Sequence, residues 1–197
     1  MNSSKAAPPP FIYINGYPGS RETHCGERVM LLPKAKVVSN HFLINAAAAV
    51  FDRDAEGYQP LRQVLVHAQH RKVLKFIATA QSTHDTTWIF TDQQSSNVLG
   101  SSSARDYQNA AALCGSPFSS IILNRSLEEN LQMAAKGDRG RIGSNTKLTD
   151  PSILRHSREN EDIFHFRIEY DLTLDVTSLS PSEAAGKVYE HIGTSCS

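Results

Sequence analysis

Phe11-Ile12-Tyr13-Ile14-Asn15 is a short run of β-forming residues that stops abruptly at Gly16-Tyr17-Pro18-Gly19. Such a run reads as a buried strand, and the glycines and proline that follow close a tight loop. Helical sequence then extends from about Thr23 to Leu32, where Pro33 ends it. A strand that feeds a helix through a glycine turn gathers backbone N–H groups at the helix start, which is a ready site for an anion. The same run is also compatible with an ordinary strand-to-helix turn.

The rest of the chain repeats the alternation. Lys36-Val37-Val38 is a second short strand, and the alanine-rich stretch from Leu43 to Phe51 is helical. Tyr58 to Ala80 carries Leu61, Leu65, Ala68, Val73 and Ile77 at helical spacing, which predicts a long helix. Thr86 to Thr91 is a strand ending at Asp92. Ser101 to Cys114 is a helix that stops at Gly115. Ser119 to Leu123 is a strand and Leu127 to Ala135 a helix. Another helix starts at Thr149-Asp150-Pro151, and Leu172 to Val176 is the last strand. Ser180-Pro181-Ser182-Glu183 is a capping box with proline at the first helical position, so the final helix begins there. Strands alternating with helices predict an α/β fold: a three-layer α/β/α domain around about five mostly parallel strands. Residues 1–10 read as a flexible tail and 11–193 as one domain. Lys136 to Asn145 interleaves Gly137, Gly140 and Gly143 with Asp138, Arg139 and Arg141, so 136–147 reads as an exposed, lid-like loop.

Charge narrows the classes of partner. The 197 residues hold 20 acidic and 20 basic side chains, so no global field draws in nucleic acid or an anionic membrane. No apolar run approaches the roughly 20 residues that span a bilayer. Cys25, Cys114 and Cys196 are scattered and form no CxxC pair, which fits a reducing, cytoplasmic compartment. A small molecule is the expected ligand, with neither nucleic acid nor membrane as partner.

A working phosphate loop has the pattern G-x-x-x-x-G-K-[ST]. Its glycines let the backbone wrap the phosphates, its lysine neutralises the β/γ charge, and its hydroxyl holds Mg²⁺. Here the run is Gly16-Tyr17-Pro18-Gly19-Ser20-Arg21-Glu22-Thr23-His24-Cys25. Counted straight from Gly16, Arg21 falls on the second glycine and Glu22 on the lysine. If the loop is one residue short, Ser20 replaces the glycine, Arg21 replaces the lysine and Thr23 keeps the hydroxyl. The second register is preferred, because it aligns the helix through Glu27 and Leu31-Leu32-Pro33. In both, the second glycine and the lysine are absent.

Together with Asn40-His41, Phe51-Asp52-Arg53-Asp54, Tyr58-Gln59-Pro60-Leu61-Arg62, Ile89-Phe90-Thr91-Asp92, Leu127-Glu128-Glu129-Asn130-Leu131, Thr146-Lys147-Leu148-Thr149-Asp150-Pro151 and Leu174-Asp175-Val176-Thr177, this loop resembles the small P-loop kinase-like proteins. These are related to the AAA-type ATP-binding kinases and more distantly to adenylate-kinase-like enzymes. The resemblance covers nearly everything from Phe11 to Ile192. It implies a nucleotide phosphate loop at Gly16, Gly19, Ser20, Arg21 and Thr23. It implies an acceptor side formed by Asn40, His41, Asp52, Arg53, Asp54 and Arg62. It implies a Walker-B-like carboxylate at Asp92 near the metal, and a lid carrying Arg139 and Arg141. Relatives often carry an acidic residue after the second strand, where this chain has Ser39, a poor general base at neutral pH. Charge neutralisation and proton acceptance are thus both compromised, by independent changes.

The residues that replace the usual loop suggest other chemistry. Glu22 and His24, with His41 and Asp92, are the candidate catalytic groups of a repurposed acid/base site; drift in a loop released from ATP is the alternative. Cys25 is a candidate reactive thiol or an inert one. Asp52 and Asp54 with Arg53 and Arg62 suit either a substrate clamp or an ion-pair cluster, and Arg139 and Arg141 an anion clamp or a solvated loop. His67 and His70 are three apart on a helix and read as a solvated face rather than a metal site. Three functions fit. The first is a kinase fold repurposed to bind or transform a small molecule without phosphoryl transfer, for example a tailoring enzyme of a biosynthetic pathway. The second is a residual small-molecule kinase using Arg21, the only reading that calls for ATP and Mg²⁺ as cofactors. The third is a non-catalytic interaction protein.

Overall fold

The computed structural model describes residues 8–17, 29, 32, 34–40, 46–47, 49–52, 55–135 and 151–195. Five strands make one sheet: β1 (Phe11–Gly16), β2 (Ala35–Ser39), β3 (Thr87–Asp92), β4 (Phe118–Asn124) and β5 (Asp171–Asp175). Their order is β2-β3-β1-β4-β5, and every pairing is parallel. The helices are α1 (Tyr58–Thr79), α2 (Val98–Cys114), α3 (Leu127–Ala135), α4 (Pro151–Asn160) and α5 (Pro181–Ser195). The expected α/β sheet is therefore present, with its five strands all parallel.

Alternation along the strands sends side chains to two separate cores. Phe11, Tyr13, Trp88 and Phe90 pack on one face against Leu74, Ile77 and Ala78 of α1 and Ala104, Tyr107 and Ala111 of α2. Ile12, Ile14, Ile89, Ile121 and Leu123 pack on the other against Val29 and against Ala184, Ala185, Val188 and Ile192 of α5. Both faces of β1 are covered, which is why Phe11 to Asn15 is a continuous buried run rather than an alternating one. Burying each large side chain of this kind contributes about 1.5–3 kcal/mol.

The expected element ends hold closely. Gly115 caps α2 in the left-handed conformation at φ 71°, and its N–H bonds back to Ala111 and Ala112. Asn97 opens α2 by accepting a hydrogen bond from the Gly100 N–H at 2.8 Å. At α5 the Ser180 N–H donates to Glu183 Oε2 at 2.8 Å and the Glu183 N–H returns to Ser180 Oγ at 3.3 Å, which is the expected capping box. Among the described residues no helix is long and apolar enough to cross a membrane.

Helix α1 forms where the spacing predicts it, and the structure adds which of its faces is buried. Ala68 and Val73 face outwards, while His70, Leu74, Ile77 and Ala78 form the buried stripe. The apolar residues of this helix are spread around it, with Val64 and Phe76 also exposed, so spacing alone leaves its inner face ambiguous. Packing against α2 makes the choice. His70 is buried rather than solvated, and its ring meets the Tyr107 ring edge-on at 4.6 Å. Of the helix expected from Leu43 to Phe51, Ala46 and Ala47 are helical, with a turn at 49–50. The helix expected from Thr23 and the lid-like loop lie largely or wholly outside the described residues.

Candidate functional site

In a parallel α/β sheet the strands' carboxyl ends form a crevice where the strand order reverses, and ligands bind there. Here the chain leaves β1 for β2, returns at β3, and then crosses to β4 on the far side of β1. The residues at that edge are Gly16 and Tyr17, Ser39 and Asn40, Asp92 to Gln94, and Asn124 and Arg125.

Asp92 ends β3 and is 5% exposed. Four donors converge on its carboxylate. Oδ1 accepts from the Asn40 side-chain amide at 2.7 Å and from the Gln93 N–H at 2.8 Å. Oδ2 accepts from the Gln94 side-chain amide and from the Tyr107 hydroxyl, both at 2.8 Å. A carboxylate offers about four acceptor positions, so this one is filled. All four donors are neutral, and among the described residues none of the ion pairs includes Asp92.

Asn15 makes a second such node one strand away. It is fully buried at the end of β1. Its Nδ2 donates to the carbonyls of Gln94 at 3.0 Å and Phe164 at 3.2 Å. Its Oδ1 accepts from the N–H groups of Gly16 at 3.1 Å and Gln94 at 2.8 Å. The segment 162–164 is thereby stitched to 94–96, helped by the Phe164 N–H bonding to Gln94 O and the Ser96 N–H to Asp162 O. Phe164 and Phe166 anchor it to the sheet through edge-on ring contacts, including Phe166 on Tyr13 at 5.8 Å.

Tyr17 follows the first loop glycine. Its hydroxyl donates to Glu161 O at 2.6 Å, and the Arg158 guanidinium lies over its ring at 4.1 Å. Arg158 also donates to Arg125 O at 2.9 Å and Asn124 Oδ1 at 3.4 Å, so α4 is fastened to the ends of β1 and β4. Beside these residues opens a cleft of about 700 Å³, lined by Tyr17, Ile122, Asn124, Arg158, Phe164 and Arg167 among others.

Burial lifts the Tyr13 and Tyr107 phenols well above their ordinary range, and the nearby Asp92 charge adds to it. Such a phenol holds its proton more tightly in the fold than in the unfolded chain. Its contribution to stability is complete below the unfolded value of about 10 and is lost as pH rises through the higher folded one. Urea midpoints measured from pH 8 upwards should therefore show no loss from these groups until about pH 10, then a steep decline. Tyr107→Phe should make that decline shallower. Tyr17 is also shifted up by burial, with Arg158 opposing it.

Of the residues expected at the site, the structure joins Asn40 to Asp92 and sets Gly16 beside Asn15. Asp52 is exposed and Arg62 half-buried on α1, and neither is among the four partners of Asp92. Gly19, Ser20, Arg21, Glu22, Thr23, His24, Cys25, His41, Arg53, Asp54, Arg139 and Arg141 lie outside the described residues. Asn15, Tyr17, Gln94, Tyr107 and Arg158 were not singled out by spacing. The available hint was an asparagine closing an otherwise apolar strand, a polar group that has to be satisfied where it is buried.

These features define a parallel α/β protein with its polar groups gathered at the carboxyl edge of the sheet. No protein-family model matches the chain, and no curated protein matches it in sequence. Solved structures do match its shape. A kinase candidate from Chloroflexus aurantiacus is 14% identical, with a TM-score of 0.65 over 97% of this chain and 100% of that one. A gluconokinase from Sinorhizobium meliloti is 12% identical, with 0.58 over 95% and 94%. The Mycobacterium tuberculosis APS kinase CysC, in complex with AMPPNP and APS, is 14% identical, with 0.57 over 95% and 99%. The chain has the P-loop kinase-like fold. In the APS kinase structure that fold holds AMPPNP. At Asp92, the carboxylate that the sequence resemblance places near the metal, a metal ion or its water would take the place of one of the four donors.

Proposed function

We propose that this chain uses the kinase fold to bind, or act on, a small molecule without transferring a phosphoryl group. The observation that carries this reading is the saturation of Asp92 by Asn40, Gln93, Gln94 and Tyr107. A metal ion would have to displace one of these hydrogen bonds to a charged group, each of which contributes about 1.5–3 kcal/mol. The sequence supports it independently. The loop from Gly16 to Thr23 lacks the second glycine and the lysine, and Ser39 stands where an acidic residue would receive a proton. Phosphoryl transfer depends on positioning and charge stabilisation, so losing the ammonium alone raises the barrier by several kcal/mol.

The test is calorimetric titration of the full chain with Mg·ATP, together with an assay for ADP release. No ADP above the protein-free background is expected, with or without magnesium. Micromolar ATP binding with magnesium-dependent ADP release would support the second reading instead, a residual kinase relying on Arg21 with Arg139 and Arg141. That reading draws on the APS kinase neighbour, whose structure holds AMPPNP and APS.

A further inference from the structure

The geometry points to the cleft between Tyr17 and the 162–167 segment as a binding site for a small organic anion, a compact body carrying one carboxylate or phosphate group. This deepens the proposed function and rests on it, since it names the class of small molecule.

The charge of the lining comes first. Arg158 and Arg167 are set against one carboxylate, Asp162, so the walls carry net positive charge. Arg158 is not a loose surface side chain. The Tyr17 ring, Arg125 O and Asn124 Oδ1 hold its guanidinium in place before any ligand arrives. Fixing a donor in advance removes the ordering cost that weakens flexible surface arginines as anion sites.

Arg167 brings a second, independent observation. Its φ is 56°, a left-handed conformation that a side chain with a Cβ adopts at a cost of about 1 kcal/mol. It follows Phe164 and Phe166, whose rings nail the segment to the sheet. Strained backbone of this kind persists where the surrounding structure fixes it, and it gathers at ligand sites.

The rest of the wall sets the ligand's body. It is mixed, with Tyr17 and the edges of Ile163 and Phe164 beside Ser96, Ser101 and Thr173, and a volume of about 700 Å³ suits a small molecule. Inorganic phosphate would leave those walls unused, and a neutral molecule would leave the guanidiniums unused.

The experiment uses the ¹⁵N-labelled full chain and three aromatic probes: benzoate, phenyl phosphate and the neutral benzamide. Benzoate or phenyl phosphate should move the amide signals of 122–124 and 162–167 saturably, and benzamide should not. Which anion binds more tightly tells carboxylate from phosphate. Arg167→Asn removes the charge while keeping a residue that tolerates the left-handed backbone, so it should fold normally. It should weaken anion binding by about tenfold, the loss of one charge-assisted hydrogen bond. Arg167→Lys should retain part of the affinity. Equal shifts from benzamide, no saturable shift at these amides, or unchanged affinity in a folded Arg167→Asn would each overturn the assignment. If the anions fail to bind while ATP is still not turned over, only this inference falls. If they bind while ATP is turned over, the reading without phosphoryl transfer falls and the cleft stands.

Discussion

Asp92→Ala is expected to cost the folded chain about 3–4 kcal/mol, read as a drop in the urea midpoint at unchanged slope. The four donors on this carboxylate do not contribute equally. Gln93 is exposed, and Asn40 and Gln94 are half-buried, so water can take over part of their bonding. The Tyr107 hydroxyl cannot be rescued in that way, because its residue, on α2, is 3% exposed between β1 and α1. Its unmet donor carries the largest share of the loss. Asp92→Asn should recover little, since its amide nitrogen would meet two donors whichever way it turns. A carboxylate kept chiefly for a metal behaves in the opposite sense, and its removal leaves stability unchanged or raises it. Wild-type stability in Asp92→Ala would therefore remove the main support for the proposed function. Tyr107→Phe alone should cost about 1–2 kcal/mol, and the double variant should lose less than the sum of the two singles.

The second large effect lies at Asn15. Asn15→Asp preserves size and shape, and it preserves the two hydrogen bonds accepted from Gly16 and Gln94. It replaces the two donated ones with a carboxylate oxygen facing the carbonyls of Gln94 and Phe164, at 3.0 and 3.2 Å in the native chain. A buried anion against two carbonyl oxygens should cost about 3 kcal/mol at neutral pH. The new carboxyl would take up a proton more readily than in the unfolded chain, because only its neutral form can donate. Its folded pKa is then raised, so stability returns as the pH is lowered and is lost again as it rises. Urea midpoints at neutral and mildly acidic pH, compared with wild type at each, measure this. A variant that tracks wild type at both would show that Asn15 does not hold the 162–164 segment to the sheet.

The sequence by itself determined the architecture. Strand-length runs separated by helical stretches predict a parallel sheet covered on both faces, because the runs that became β1, β3 and β4 are too apolar to leave a face in water, while the edge strands β2 and β5 keep exposed residues such as Lys36 and Asp175. Local chemistry also settled the element ends at Gly115 and at Ser180 to Glu183, since a cap depends on residues within one turn of it. That Gly19 is followed by Ser20, Arg21, Glu22 and Thr23 is likewise read from the sequence alone. The tertiary structure decided what local pattern could not. The inner face of α1 depends on its neighbour α2, because apolar residues ring that helix. The fate of Asp92 depends on donors 52 residues upstream and 15 downstream, Asn40 and Tyr107. The cleft depends on Tyr17 meeting Glu161 and Arg158, more than 140 residues apart along the chain. Hydrogen bonds and ring contacts act over a few ångströms of space whatever the separation in sequence, so only the folded chain shows which polar groups have been used and which are left to meet a ligand.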